Sequence, residues 1–165
     1  MLSVKTLSRD RNNKDPLFIM VISIIICSVL TVYPMAYAWA GWRPLFMLMV
    51  TLFWVVCQPT WCGVWFAFAV GIFTDLLLDA PLGLNALSYV LVTFITRYFI
   101  RERRIMTFGN TWVIASIVLF GHLIFIMLTQ LISGLEFSLG RHWQPLLTSI
   151  LFWPILYYFL KPWRI

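Results

Sequence analysis

Residues 17–39 read LFIMVISIIICSVLTVYPMAYAW, a run of 23 residues without one charged side chain. A helix needs roughly 20 apolar residues to cross the hydrocarbon core of a bilayer, so this run is long enough to span with some tilt. It follows a basic segment and contains Ala36-Tyr37-Ala38, the pattern of a signal-peptidase site. The apolar core of a secretory signal, however, is only about 7 to 15 residues long. The run is therefore read as a retained membrane span.

On its N-terminal side, Met1 to Pro16 is polar, with Lys5, Arg9, Arg11 and Lys14 set against Asp10 and Asp15. It reads as a cytoplasmic basic tail, residues 1–16, ahead of a single membrane domain over residues 17–165. Downstream, a short second run covers Pro44 to Cys57, its proline tolerable at a helix start where the missing N–H costs little. This run is expected to be a tilted or thin span. Gln58-Pro59-Thr60 forms a turn, a third span runs from about Trp61 to Leu78, and Asp79 to Gly83 breaks the chain again. A fourth span from about Leu84 to Ile100 ends at Arg101-Glu102-Arg103-Arg104. The fifth covers about Thr111 to Ile132, and the sixth about Trp143 to Leu160, with Pro154 as an expected kink.

The basic residues test this count, because cytoplasmic loops collect Lys and Arg. With six spans and a cytoplasmic tail, Lys5, Arg9, Arg11, Lys14, Arg97, Arg101, Arg103, Arg104, Lys161 and Arg164 lie inside, and only Arg43 and Arg141 outside. Merging the second and third runs would place the Arg101 to Arg104 cluster on the same side of the membrane as Arg43, with the tail still inside, and remove most of the bias. Trp39, Trp42, Trp61, Trp112, Trp143 and Trp163 lie near the predicted span ends, where an indole can keep its ring in the interface and its N–H in water.

Composition agrees with this placement. The chain is 62% hydrophobic and 11% charged, against about 25% charged for a soluble domain, so it could not cover itself with a water-compatible surface. The net charge of +6 does not mark a nucleic-acid binder, because the basic residues cluster between apolar runs and form no continuous patch. Cys27, Cys57 and Cys62 fit neither a disulfide framework nor a zinc site and are read as free thiols in apolar surroundings.

Polar residues inside the spans are costly and call for a reason. Asp75 and Asp79 stand four apart on one helix face, in the outer part of the third span. Asn85 and Ser88 on the fourth span, and Arg43 at the outer end of the second, share that depth. Arg43, Asp75, Asp79, Asn85 and Ser88 are thus expected to form a polar cluster, either a clamp fixing spans two, three and four or a docking site for a partner or small molecule. If Asp75 is ionised, Arg43 is its expected partner. His122, in the fifth span, is expected to hydrogen-bond between helices. Gly63, Ala67 and Gly71 recur every four residues and predict a seam where another backbone comes close. Two carboxylates are too few to converge on a catalytic metal, and no catalytic, cofactor-binding or metal residues are assigned.

The order Gly41-Trp42-Arg43-Pro44, Trp54, Pro59, Gly63, Gly71, Asp75, then Pro81-Leu82-Gly83-Leu84-Asn85-Ala86-Leu87, resembles the rod shape-determining protein MreD family. The likeness is dense over the middle third and continues through Phe152-Trp153-Pro154. It implies a component of the bacterial elongation machinery, working with an MreC-like membrane-anchored periplasmic protein, MreB-like filaments, a RodA-like glycosyltransferase and a penicillin-binding protein. It also implies a six-helix fold like that of the capture subunits of energy-coupling-factor transporters.

The expectation is an all-α polytopic integral membrane protein with about six transmembrane helices and both termini cytoplasmic, in the bacterial inner membrane. Its expected role is a non-catalytic scaffold without cofactor. The alternative is a small-molecule capture subunit of a membrane transporter. Self-association is left open.

Overall fold

A computed structural model describes residues 16–34, 41–59, 61–102, 108–133 and 139–161. The basic tail, Trp39, Arg103, Arg104, Trp163 and Arg164 lie outside the described residues. Within them the fold is all-α, with no strand: α1 (Pro16–Val32), α2 (Phe46–Cys57), α3 (Val64–Leu77), α4 (Leu84–Glu102), α5 (Phe108–Ile132) and α6 (Leu139–Leu160). The six helices fall in the order and places that the apolar runs predict. Gly109–Ile132 is long and apolar enough to cross a membrane, whereas Leu17–Val32, Phe46–Cys57 and Val64–Leu77 are shorter apolar helices.

The short second run has a role that its sequence does not announce. A 12-residue helix rises only about 18 Å, well short of a bilayer's hydrocarbon thickness of about 30 Å. Every residue from Met47 to Val56 is buried, and α2 packs against all five other helices. A helix apolar on all faces belongs in a core, and α2 is the column around which the bundle is built. Trp54 is fixed there by donating its Nε1–H to Ser23 Oγ of α1 (2.8 Å). Trp42, Trp61, Trp112 and Trp143 are exposed at or near helix ends, while Trp54 and Trp153 are buried.

Pro154 lies inside α6, where a proline removes the N–H that would bond the carbonyl four residues earlier. That carbonyl belongs to Ile150, and it accepts the indole N–H of Trp112 on α5 (3.2 Å). The orphan left by the proline thus becomes a link between α5 and α6.

The end of α3 is shaped by Asp79, a non-glycine residue with φ of 51°. Leu78 N–H returns to the Thr74 carbonyl and Ala80 N–H to the Asp75 carbonyl, a C-terminal closure that turns on a left-handed residue, usually glycine. Asp79 is exposed, so its role here is backbone conformation. Asp79→Gly is expected to leave the fold intact and stabilise it by about 0.5 kcal/mol, whereas Asp79→Val should cost about 1–2 kcal/mol. Unfolding midpoints of the purified protein in mixed micelles check both.

Candidate functional site

Of the residues expected to form the polar cluster, Asp75 and Asn85 meet at the junction of α3 and α4. No Ser, Thr, Asp or Asn precedes α4, because residues 81–83 are Pro-Leu-Gly, so the first N–H groups of α4 lack the usual local cap. Asp75, from α3, supplies it. Its Oδ2 accepts the N–H of Gly83 (2.9 Å) and of Ala86 (3.3 Å), and its Oδ1 accepts the N–H of Asn85 (2.9 Å). The side chain is fully buried, and it sits where the helix dipole is positive. Gly83 presents its N–H from a φ of 101°, a conformation that glycine adopts at little cost.

Close approach makes this reach geometrically feasible. Gly71 lies one turn before Asp75 on the same face of α3, and a Cβ there would fall 2.4 Å from Ala86 Cα and 2.9 Å from Ala86 N. The backbones of α3 and α4 are therefore in contact, and this is the most extensive helix pair in the fold. Ala67 is also fully buried. Gly63, by contrast, is the N-cap residue of α3, and a Cβ there would meet only Arg97 Nη1, at 3.8 Å. The close-packed part of the predicted seam is its Gly71 end.

Arg43 is engaged elsewhere. Its Nη1 donates to the Thr31 carbonyl (2.6 Å) and its Nη2 to the Tyr33 carbonyl (2.7 Å), at the C-terminal end of α1, where the helix dipole is negative. The expected pairing of Asp75 with Arg43 is thus replaced by two separate helix caps, each of the sign that its helix end attracts. Both Asp75 oxygens and both terminal nitrogens of Arg43 are thus engaged with backbone groups, while Arg43 Nε has no partner among the described residues. Asp79 stands at the surface and joins neither.

The other two members look away from the carboxylate. Ser88 is fully buried, and its Oγ forms a hydrogen bond with His122 Nδ1 of α5 (2.5 Å), the interhelical bond expected of that histidine. The Tyr89 ring stands edge-on to the same imidazole, with centroids 6.0 Å apart. Asn85 donates its backbone N–H to Asp75 and, with His122, lines a cavity. The five predicted residues therefore divide into the α4 cap, the α1 cap, the α3 terminus and the α4–α5 link.

Sequence reasoning missed one further cap. Leu45 precedes α2 without a side-chain cap of its own, and its N–H donates to Ser149 Oγ of α6 (2.8 Å). At the opposite end, Arg97 of α4 donates to the Pro59 carbonyl in the α2–α3 connection. The missing local caps before α2 and α4 are a legible signal that partners must come from elsewhere; which partners is not legible.

The rod shape-determining protein MreD family matches residues 13–162, nearly the whole chain. The chain belongs to the MreD family. Rod shape-determining protein MreD of Haemophilus influenzae (strain ATCC 51907 / DSM 11121 / KW20 / Rd) is 27% identical over 145 residues, covering 83% of this chain and 85% of that relative. No solved structure matches the chain. Membership of the family supports a role in rod-shape determination, and the α3–α4 junction lies inside the matched segment.

Proposed function

We propose that this MreD-family chain is a non-catalytic, multi-pass protein of the bacterial inner membrane, with a basic cytoplasmic tail, one six-helix membrane domain and both termini in the cytoplasm. It supports lateral peptidoglycan synthesis as a scaffold, binding partner membrane proteins along its helix faces. An MreC-like protein is the first of these; MreB-like filaments, a RodA-like glycosyltransferase and a penicillin-binding protein form the wider assembly. The observation that carries this reading is the division of chemistry between inside and outside. Asp75 and Arg43 hold helix ends of the bundle itself, while Phe18, Ile25 and Val29 of α1, Phe94 of α4, Leu128 of α5 and Phe159 of α6 are exposed. Such apolar exposure suits lipid and partner helices and is foreign to water. Capping one helix end with a side chain from another helix also suits a medium without water to satisfy backbone groups.

Two experiments test this. Reporters fused after Arg164 and within residues 101–104 should report cytoplasm, and those near Gly41, Ala80 and Ser138 the outside; an external signal from residues 101–104 rejects the six-span topology. A tagged chain that restores rod shape in cells lacking the native protein should retain an MreC-like protein when purified from membranes in mild detergent. Restored shape with no retained component of the machinery rejects the scaffold reading.

A further inference from the structure

The bundle holds a cavity of about 200 Å³ between the starts of α2, α4 and α6 and the middle of α5. Leu45, Leu84, Leu119, Leu123, Ile126 and Leu146 form much of its wall, and none of its lining residues carries a fixed charge. Two polar side chains interrupt this surface, Asn85 and His122, each more than nine-tenths buried. His122 uses Nδ1 for Ser88, which leaves Nε2 as its remaining hydrogen-bonding atom. Asn85 bonds Asp75 through its backbone N–H, and its side-chain amide has no hydrogen-bond partner among the described residues. A buried amide without a partner costs free energy, and a few polar groups on an otherwise apolar wall are the usual make-up of a small-molecule site. We propose that this cavity binds an uncharged amphiphile, an aliphatic body carrying one hydroxyl that hydrogen-bonds Asn85 and His122. A charged ligand is disfavoured because no lining group would neutralise it, and a pure hydrocarbon because it would leave both polar groups unpaired.

A second cleft of about 340 Å³ shares Leu84 as a wall and runs along Leu87, Phe125, Thr129 and Ser133. It lies between α4 and α5.

The test uses the full chain in lipid nanodiscs and a diazirine-bearing octanol as photoreactive probe, with adducts mapped by mass spectrometry. Labelling should concentrate on residues 119–126 and 145–146 and be competed by 1-octanol at least fivefold better than by octane or octanoate. Asn85→Leu and His122→Leu should each lower labelling about fivefold, the loss of roughly one hydrogen bond. Because either variant could disturb the α4–α5 packing, Leu146→Trp supplies a second route. It fills the cavity from an apolar wall, and it should abolish the same adducts while the unfolding midpoint is retained. Adducts spread evenly over the lipid-facing surface, equal competition by octane, or undiminished labelling in Leu146→Trp would each overturn the site, leaving the cavity to bound water.

Discussion

Asp75→Asn is expected to destabilise the bundle by about 3 kcal/mol. The carboxylate offers acceptors on both oxygens, and three backbone N–H groups of α4 use them. An amide offers one acceptor oxygen and sets an NH2 group against the donors facing the other. At least one N–H is then left buried without a partner, and the charge complementing the start of α4 is lost. The measurement is the unfolding midpoint in mixed micelles, with Asp79→Asn as a control of equal chemistry at an exposed turn. The same geometry predicts the outcome of a charge swap. Asp75→Arg places a cation at a positive helix end, and Arg43→Asp an anion at the carbonyl end of α1, so the double variant should fold less well than either single. Recovery of folded yield in the double swap would show that Asp75 and Arg43 act on each other and that the two-cap description is mistaken.

The second large effect is at Gly71. A methyl group there would overlap the backbone of Ala86, and no flexible side-chain end is available to yield. Overpacking of this kind costs typically about 1–3 kcal/mol, and Gly71→Ala is expected at the upper end. Moving α4 away by even a fraction of an ångström also draws three N–H groups off Asp75, one turn along. Gly71→Leu should leave little folded protein. Gly63→Ala, where the added atom meets only the end of Arg97 at 3.8 Å, should change stability by less than about 1 kcal/mol, as should the shortening of a partly exposed aromatic in Phe68→Leu. Folded yield from membranes, followed by unfolding midpoints, separates these cases. Equal stability of the Gly71→Ala and Gly63→Ala proteins would mean that α3 and α4 are not in backbone contact.

Gly71 also illustrates how far the chain can be read unaided. Small residues every four positions on α3 announce a close approach, because the spacing is set by helix geometry and needs no knowledge of the partner. The places of the six helices follow in the same way from where apolar runs start and stop, and the exposed Trp42, Trp61, Trp112 and Trp143 follow from their positions at the predicted ends. What the sequence could not supply was any relation between elements distant along the chain. Depth alone put Arg43 beside Asp75, yet depth says nothing of azimuth around the bundle, and backbone groups at bare helix ends compete for the same charges. That competition appears only when the ends are placed: Asp75 meets the start of α4, Arg43 the end of α1, and Ser149 the start of α2. Composition likewise could not distinguish an apolar helix at the rim from one at the centre, and α2 is short and charge-free in either case. By themselves the residues determined which segments are helical and which face of α3 is smooth enough for contact. The tertiary structure decided which helix is the core and which helix ends Asp75 and Arg43 serve, because unsatisfied N–H and C=O groups are local in origin but their partners here come from other helices.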